Sequence, residues 1–339
     1  METKQITIKD IAQKAGVAVS TVSRVLNGKD RVSPETRQRV QQIIDEYDYV
    51  QNAAAVSVVK RKTNMIGVII PEIQNPFNAS IVYGVDKVCK TRGYNICVFS
   101  TDDKVADEER LIRSVVSPLV DGIIAITCTD GRIYLGGRKP VVLVDRGLGA
   151  DDFDEVVIDN MGGMHRACDY LIKKGHRKIA YISGPLEFTT GLGRLQGFRS
   201  CMEEHGIPVD EDSVYVGDWF VADGRRATQK ILERNRAGAG ITAILCSNNL
   251  ICKGCIEVLH EAKVAIGEDI SLLGFDENDL VHYTTPKITY VARPTYEMGE
   301  KAAEMLLEKI ASEKSYLGQK MVMRTRLIEQ GSVRDLNKQ

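Results

Sequence analysis

The feature that most limits the folds open to this chain is a repeated alternation, from residue 65 onward, of short continuous apolar runs with amphipathic stretches. Continuous apolar runs predict strands buried on both faces, and the stretches between them predict helices. The predicted strands are 65–70, 95–99, 122–127, 141–145, 156–159, 178–183, 242–247 and 270–275. The predicted helices are about 77–91, 105–117, 162–174, 193–205, 222–235 and 249–262. This pattern predicts an α/β fold of two doubly wound lobes with parallel sheets.

Ligands of such sheets bind beyond the carboxyl ends of the strands. The segments that follow the predicted strands are rich in groups that hydrogen-bond hydroxyls. They are 71–77, 100–103, 145–146, 159–160, 184–194, 247–249 and 276. We therefore expect a polar small molecule to bind in the cleft between the two lobes.

The segment 6–27, which precedes these lobes, predicts a helix, a sharp turn and a second helix. Thr7 is suited to cap a first helix over 8–15, and Asp10 lies where the helix dipole favours a carboxylate. Gly16 supplies the turn.

The second helix, 19–26, has an apolar face and a polar face. Its apolar face consists of residues at helical spacing, namely Val22, Val25 and Leu26. Its outward face carries Ser20, Thr21 and Arg24. A second helix of this kind enters the major groove of DNA, where Arg reads guanine or grips phosphate. A third helix begins at Pro34, with Ser33 as its cap.

The charge distribution is consistent with a nucleic-acid contact at one end of the chain. Residues 1–62 carry 11 Lys and Arg against 7 Asp and Glu, whereas the remaining residues carry 34 against 39. A basic terminal module on an acidic body is the distribution expected for such a contact.

Targeting signals and cysteine usage indicate the compartment. No charged segment followed by an apolar region opens the chain, and no apolar run approaches the roughly 18–20 residues of a membrane span. We expect a soluble, cytoplasmic protein without a membrane partner. Its eight cysteines lie mostly in apolar runs, which favours buried thiols over disulfides. Cys252 and Cys255 form a C-x-x-C but lack a second ligand pair, so we expect no metal.

Motifs of common enzyme classes are absent or out of context. Gly191, Gly193 and Gly197 imitate a dinucleotide-binding loop, but they do not directly follow the strand. His260 and Glu261 lack the second His of a zinc-protease motif, and no phosphate-binding G-x-x-x-x-G-K-[ST] loop occurs. The five histidines show no Ser-His-Asp pattern. We expect a binding protein rather than an enzyme, with no cofactor.

The string AGVAVSTVSRVLN at 15–27 resembles the signature of the LacI/GalR (lactose-repressor/galactose-repressor) family of bacterial transcription regulators. The resemblance continues to about residue 330, through segments such as NPF at 75–77, KKGHRKIAYISG at 173–184 and DISLLGFDEND at 269–279. It implies a helix-turn-helix headpiece followed by a domain like the periplasmic sugar-binding proteins, with crossovers between lobes near 160, 291 and 320. The implied parts are a headpiece (1–48), a hinge (49–62), an N-terminal lobe (63–160 and 292–319) and a C-terminal lobe (161–291 and 320–335).

The resemblance assigns roles in DNA binding residue by residue. It implies that Val19, Ser20 and Arg24 read operator bases, and the outward-facing Thr21 lies on the same surface. The positions near the phosphate backbone are Thr7, Ser23 and Asn27. For the hinge, the resemblance implies that Asn52 opens a short helix and that Val58 stands at the position where the family has a Leu that wedges into the minor groove. Further departures from the family pattern are Ala18 in place of a capping Ser and Gln51 in place of Pro.

The resemblance also assigns an effector site. It implies that Arg194 grips ligand oxygens with help from Thr190, that Asn248 and Asp276 hydrogen-bond hydroxyls, and that Trp219 stacks on the ligand ring. Phe77 and Arg146 line the other lobe. Asn249 replaces the commoner Asp, which removes a negative charge. With two arginines nearby, we hypothesise an anionic effector, a sugar acid or a sugar phosphate.

These features together predict a ligand-responsive transcriptional regulator, a repressor of sugar or sugar-acid utilisation that an inducer releases from operator DNA. Two-fold pairing of headpieces predicts a homodimer. Because the sequence shows no heptad pattern after the last strand, we expect a dimer and not a tetramer. The helix at 77–91 carries an apolar stripe that serves either the dimer interface or the core: Ile81, Val82, Val85 and Val88. The alternatives are a corepressor-dependent regulator and a sugar-binding receptor without DNA function.

Overall fold

The computed structural model of the chain describes residues 6–28, 31–49, 62–116, 119–129, 131–135, 139–149, 152–276, 283–312 and 318–338. The chain divides into two compact units, Met1–Thr63 and Asn64–Gln339. Each unit has an apolar core of its own. Among the residues described, no helix combines the length and the apolar composition that crossing a bilayer requires.

The first unit contains three helices: α1 (Ile8–Ala15), α2 (Val19–Leu26) and α3 (Pro34–Glu46). Thr7 and Asp10 form a capping box at the start of α1, in which the Thr7 N–H donates to the Asp10 carboxylate at 2.9 Å. Gly16 ends α1 at φ 64°, a left-handed conformation that glycine adopts without steric cost. One face of each helix builds the core: Ile11, Ala12, Ala15, Val22, Val25, Val40 and Ile44. The helix, turn and helix predicted from the sequence are therefore confirmed.

The first lobe of the second unit is built on a six-stranded sheet. Its strands are β1 (Met65–Ile70), β2 (Asn95–Ser100), β3 (Gly122–Ala125), β4 (Val141–Val144), β5 (Asp154–Ile158) and β11 (Lys320–Met323). They lie in the order β11-β5-β4-β3-β1-β2, and all neighbouring strands are parallel. Its helices are α4 (Pro76–Thr91), α5 (Val105–Leu111), α6 (Arg132–Leu135) and α11 (Thr295–Ser312), and a π-helical turn, Ile112–Val116, continues α5.

Helices α4 and α11 pack closely at one glycine. A Cβ atom on Gly84 would lie 2.2 Å from the carbonyl oxygen of Tyr296, so only glycine permits this approach. Ile81 and Val85 of α4 are fully buried, whereas Tyr83 is 54% exposed. The apolar stripe considered for a dimer interface therefore includes two core residues, and the interface alternative is wrong for Ile81 and Val85.

The second lobe has a six-stranded sheet of the same kind. Its strands are β6 (Ile179–Ser183), β7 (Val214–Val216), β8 (Ala243–Cys246), β9 (Ser271–Phe275), β10 (Thr289–Ala292) and β12 (Arg326–Ile328). They lie in the order β12-β10-β9-β8-β6-β7, and β12 alone among them runs antiparallel to its neighbour. The helices are α7 (Asn160–Lys173), α8 (Thr189–Glu204), α9 (Val221–Arg236) and α10 (Asn249–Glu261). The predicted α/β fold of two doubly wound lobes is confirmed.

The last passage between the lobes differs from the predicted one. Strand β11 pairs with β5 along residues 320–323, so these residues belong to the first sheet. The predicted boundary at 320 is therefore wrong, and the chain crosses between Met323 and Arg326. Two short strands follow each other here with only two residues between them, and no turn residue marks the crossing in the sequence.

All eight cysteines are free thiols within the described residues, and all except Cys97 are buried. Cys252 and Cys255 are fully buried on α10, and the Cys255 Sγ lies 3.5 Å from the Cys246 Sγ. Burial in an apolar core raises the pKa of the Cys246 thiol well above its ordinary value. These thiols act as small apolar side chains of the core.

Candidate functional site

The first candidate site is the outward face of α2. Its inward residues Val22 and Val25 are buried in the core of the first unit. Val19 is 41% exposed, Ser20 and Arg24 are exposed, and Thr21 and Ser23 are half-buried. The structure thus presents the residues predicted to meet DNA on the free side of the helix, and their contacts with bases stay a prediction.

Hydrogen bonds at the ends of α1 and α2 occupy some predicted phosphate-contacting residues. The Thr7 hydroxyl donates to Asp10 at 2.7 Å, and the Asn27 side-chain amide donates to the Ser23 carbonyl at 2.6 Å. Ala18 caps α2 without a side-chain hydrogen bond, as its replacement of a capping Ser predicts. Asn52 and Val58 lie outside the described residues.

The second candidate site is a cavity of about 260 Å³ between the two lobes, at the carboxyl ends of their strands. All seven residues predicted for the effector site line it: Phe77, Arg146, Thr190, Arg194, Trp219, Asn248 and Asp276. Residues far apart in the sequence therefore come together as predicted. Their role in binding an effector stays a prediction.

The lining of this cavity includes an arginine that the sequence analysis missed, Arg293. Arg293 follows β10 and bridges the lobes, because it donates through Nε and Nη2 to both carboxylate oxygens of Asp276 and through Nη1 to Asp145. Asp145 and Asp276 directly follow β4 and β9, and both adopt left-handed backbone conformations, at φ 65° and 71°. The guanidinium also lies 3.7 Å from the centre of the Phe77 ring. The Phe77 ring therefore already stacks on a side chain of the protein, the Arg293 guanidinium.

A sequence signal for Arg293 existed. The segment P-x-I-T-Y-V at 286–291 is not among the strands that the sequence analysis predicts. Had 289–292 been predicted as a strand, Arg293 would have stood at a carboxyl end with the other candidates.

Arg146 forms a second internal ion pair. Its guanidinium donates to both carboxylate oxygens of Asp103, and the Phe188 ring of the other lobe lies 4.0 Å from it. The Arg146 side chain is 7% exposed. Its charge is therefore paired with a carboxylate of the chain itself.

Arg194 differs from the other two arginines. It is 2% exposed and donates through Nε to the Asn160 side chain at 2.8 Å and through Nη1 to the Ser247 carbonyl at 2.6 Å. Its Nη2 has no hydrogen-bond partner, and none of the ion pairs among the described residues includes it. Burial, and next the charge of Arg293, lower the pKa of Arg194 to about 10, so it stays charged at neutral pH.

The other predicted residues differ in whether their polar side-chain atoms already have hydrogen-bond partners. Asn248 caps α10 by accepting from the Ile251 N–H at 2.8 Å and donates to the Trp219 carbonyl at 2.9 Å. The Asp276 carboxylate accepts from Arg293, so the side chains of Asn248 and Asp276 both already have hydrogen-bond partners within the chain. The Thr190 hydroxyl and the Trp219 Nε1 are buried beside the cavity, and neither has a hydrogen-bond partner within the described part of the chain. Together with the Arg194 Nη2, they are polar groups of the cavity lining that lack a hydrogen-bond partner among the described residues.

Both units match known family models. Residues 7–52 match the model of bacterial regulatory proteins of the lacI family, and residues 168–333 match that of the periplasmic binding protein-like domain. The HTH-type transcriptional repressor PurR of Proteus mirabilis (strain HI4320) is 33% identical over 336 residues, which are 97% of each chain.

Solved structures extend the comparison. A complex of the transcriptional regulator CelR with cellobiose is 31% identical, with a TM-score of 0.72 over 96% of this chain and 99% of that one. The lac repressor dimer bound to operator and the anti-inducer ONPF has a TM-score of 0.84 over 98% of this chain and 100% of that one; at 22% identity it shows a shared fold. The relatives are repressors and regulators, which agrees with the prediction of a non-enzyme and disfavours a receptor without DNA function. At 33% identity over nearly the whole of both chains, this chain belongs to the LacI/GalR family of DNA-binding transcriptional repressors.

Proposed function

We propose that this repressor acts as a homodimer on a pseudo-palindromic operator and that a small hydroxylated acid, bound in the interlobe cavity, controls its operator affinity. One headpiece reads too few bases for selectivity, whereas two-fold symmetry places two recognition helices in successive major grooves. Effector binding changes operator affinity by as much as the effector distinguishes between the two states of the protein.

The observation that supports an acidic effector is the environment of Arg194. Its charge is buried and has neutral partners, while the other two arginines of the cavity are already paired with carboxylates. A buried cation without a counterion is costly. A carboxylate of the ligand would supply the counterion, and Nη2, the Thr190 hydroxyl and Trp219 Nε1 would supply the donors.

The size and lining of the cavity support a small ring compound. A volume of about 260 Å³ is just below the range of roughly 300–1,000 Å³ that is usual for ligand cavities, which favours a monosaccharide-sized molecule. The alternative to a sugar acid is a neutral sugar, and the similarity to the CelR–cellobiose structure favours that alternative. The similarity to PurR favours a second candidate function, a corepressor-dependent repressor, so purines belong in the same ligand panel.

The test is operator affinity at fixed salt while sugars, sugar acids, sugar phosphates and purines are titrated, with the fluorescence of Trp219 followed in parallel. We expect a sugar acid to weaken operator binding and to alter the fluorescence. The Arg194→Lys variant keeps a charge and should retain part of the response, whereas Arg194→Ala should lose it with operator affinity unchanged. Binding of neutral sugars alone would refute the acidic effector, and tightened operator binding would show a corepressor.

A further inference from the structure

Two asparagines from opposite lobes meet at the cavity. The Asn249 Nδ2 donates to the Asn75 Oδ1 at 2.9 Å. Asn75 is the cap of α4 in the first lobe, and Asn249 is the first residue of α10 in the second lobe. Asn249 is 1% exposed, so this contact is shielded from water.

The direction of this hydrogen bond is fixed by a second bond. The Asn75 Oδ1 also accepts from the Phe77 N–H at 3.1 Å, so this atom must be the oxygen. The atom of Asn249 that approaches it must then carry a hydrogen. An aspartate at 249 would instead bring a charged acceptor against an acceptor.

We propose that the Asn75–Asn249 pair is a latch that holds the two lobes together across the cavity. The lobes are also joined by the Arg293–Asp145 ion pair, by the Thr189 hydroxyl, which donates to the Gly147 carbonyl at 3.0 Å, and by Phe188, which stacks on Arg146. These contacts tolerate either amide or acid at position 249. Replacing Asn249 by Asp exchanges one atom of the latch and turns its hydrogen-bond donor into an acceptor.

The two isosteric exchanges therefore have opposite expected effects. In Asn75→Asp, the carboxylate still accepts from both Phe77 and Asn249, so the latch persists. In Asn249→Asp, the donor is lost and two acceptors face each other. By helix rules both variants are favourable, because Asp caps α4 as well as Asn does and an acidic residue in the first turn of α10 suits its dipole. A purely local role thus predicts no loss in either variant.

The measurement is the distance between the lobes in the ligand-free, full-length chain. Spin labels carried by genetically encoded amino acids at Lys104 and Glu204, one exposed site on each lobe, give this distance by pulsed electron spin resonance. Loss of one net hydrogen bond shifts such an equilibrium about five-fold. We expect Asn249→Asp to raise the ratio of long to short distances by at least about that factor, and Asn75→Asp to match the unsubstituted chain.

Two results would overturn the latch: an unchanged distance distribution in Asn249→Asp, or equal opening in Asn75→Asp. Asn249→Ala removes the donor without adding charge, so it should open the lobes less, and it decides the question if Asn249→Asp does not fold. The consequence for regulation rests on the proposed function. If the distances shift while ligand-free operator affinity does not, the latch stands and the proposed coupling fails.

Discussion

Replacing Arg293 by Met should strongly destabilise the second unit. The side chain is 3% exposed and neutralises Asp145 and Asp276, which are 7% and 3% exposed. Met keeps most of the volume of the side chain but removes every donor, so two buried carboxylates lose their cation. Removing one partner of a buried ion pair costs about 3–5 kcal/mol. For the unit Asn64–Gln339, at about 2.1 cal/mol/K of unfolding entropy per residue, that loss lowers Tm by about 5–9 °C.

Trp219, the single tryptophan of the chain, lines the same cavity, so its fluorescence reports unfolding of this unit in urea or on heating. The control is the triple variant Asp145→Asn, Asp276→Asn and Arg293→Met, which removes all three charges. It should recover at least half of the lost free energy of unfolding, because no buried charge then lacks a partner. A single variant within about 1 kcal/mol of the parent chain, or a triple variant no more stable than the single one, would refute the reasoning.

Three further outcomes are expected. Ala18→Ser supplies the missing cap of α2 and should stabilise the first unit by about 0.5–2 kcal/mol, measured by urea unfolding; no gain would show that the start of α2 needs no cap. Arg24→Ala should weaken specific operator binding more than binding to random DNA at the same salt, and equal losses would exclude base reading. Burial lowers the pKa of His176 below its ordinary value of 6.5, so protons favour the unfolded chain: stability should be full above pH 6.5 and fall as the pH drops below it, and His176→Asn should lack this dependence.

Much of the effector cavity could be predicted because it follows from the fold. Once parallel strands are recognised, their carboxyl ends must meet, and Thr190, Arg194, Asn248 and Asp276 stand at or just beyond such ends. The short strands β7, β10, β11 and β12 were not predicted. Segments of three or four residues carry little periodicity, and the omission of β10 hid Arg293.

The apolar stripe of α4 shows another limit of pattern analysis. Helical spacing establishes that a face is apolar, but not what covers it. Ile81 and Val85 are fully buried within the second unit, and the pattern alone could not distinguish that burial from burial by a second subunit.

The sequence by itself determined the helix-turn-helix, the two α/β lobes and the strand ends that line the cavity, because local spacing encodes them. Its motifs carried the family resemblance, which assigned seven of the lining residues. Only the tertiary structure decided how the charges in that cavity are paired. Arg293 and Asp145 are 148 residues apart, and their pairing depends on which strands become neighbours across the cleft. A carboxylate stabilises only the cation that reaches it. Among the three arginines that line the cavity, the fold therefore leaves Arg194 without a carboxylate partner among the described residues.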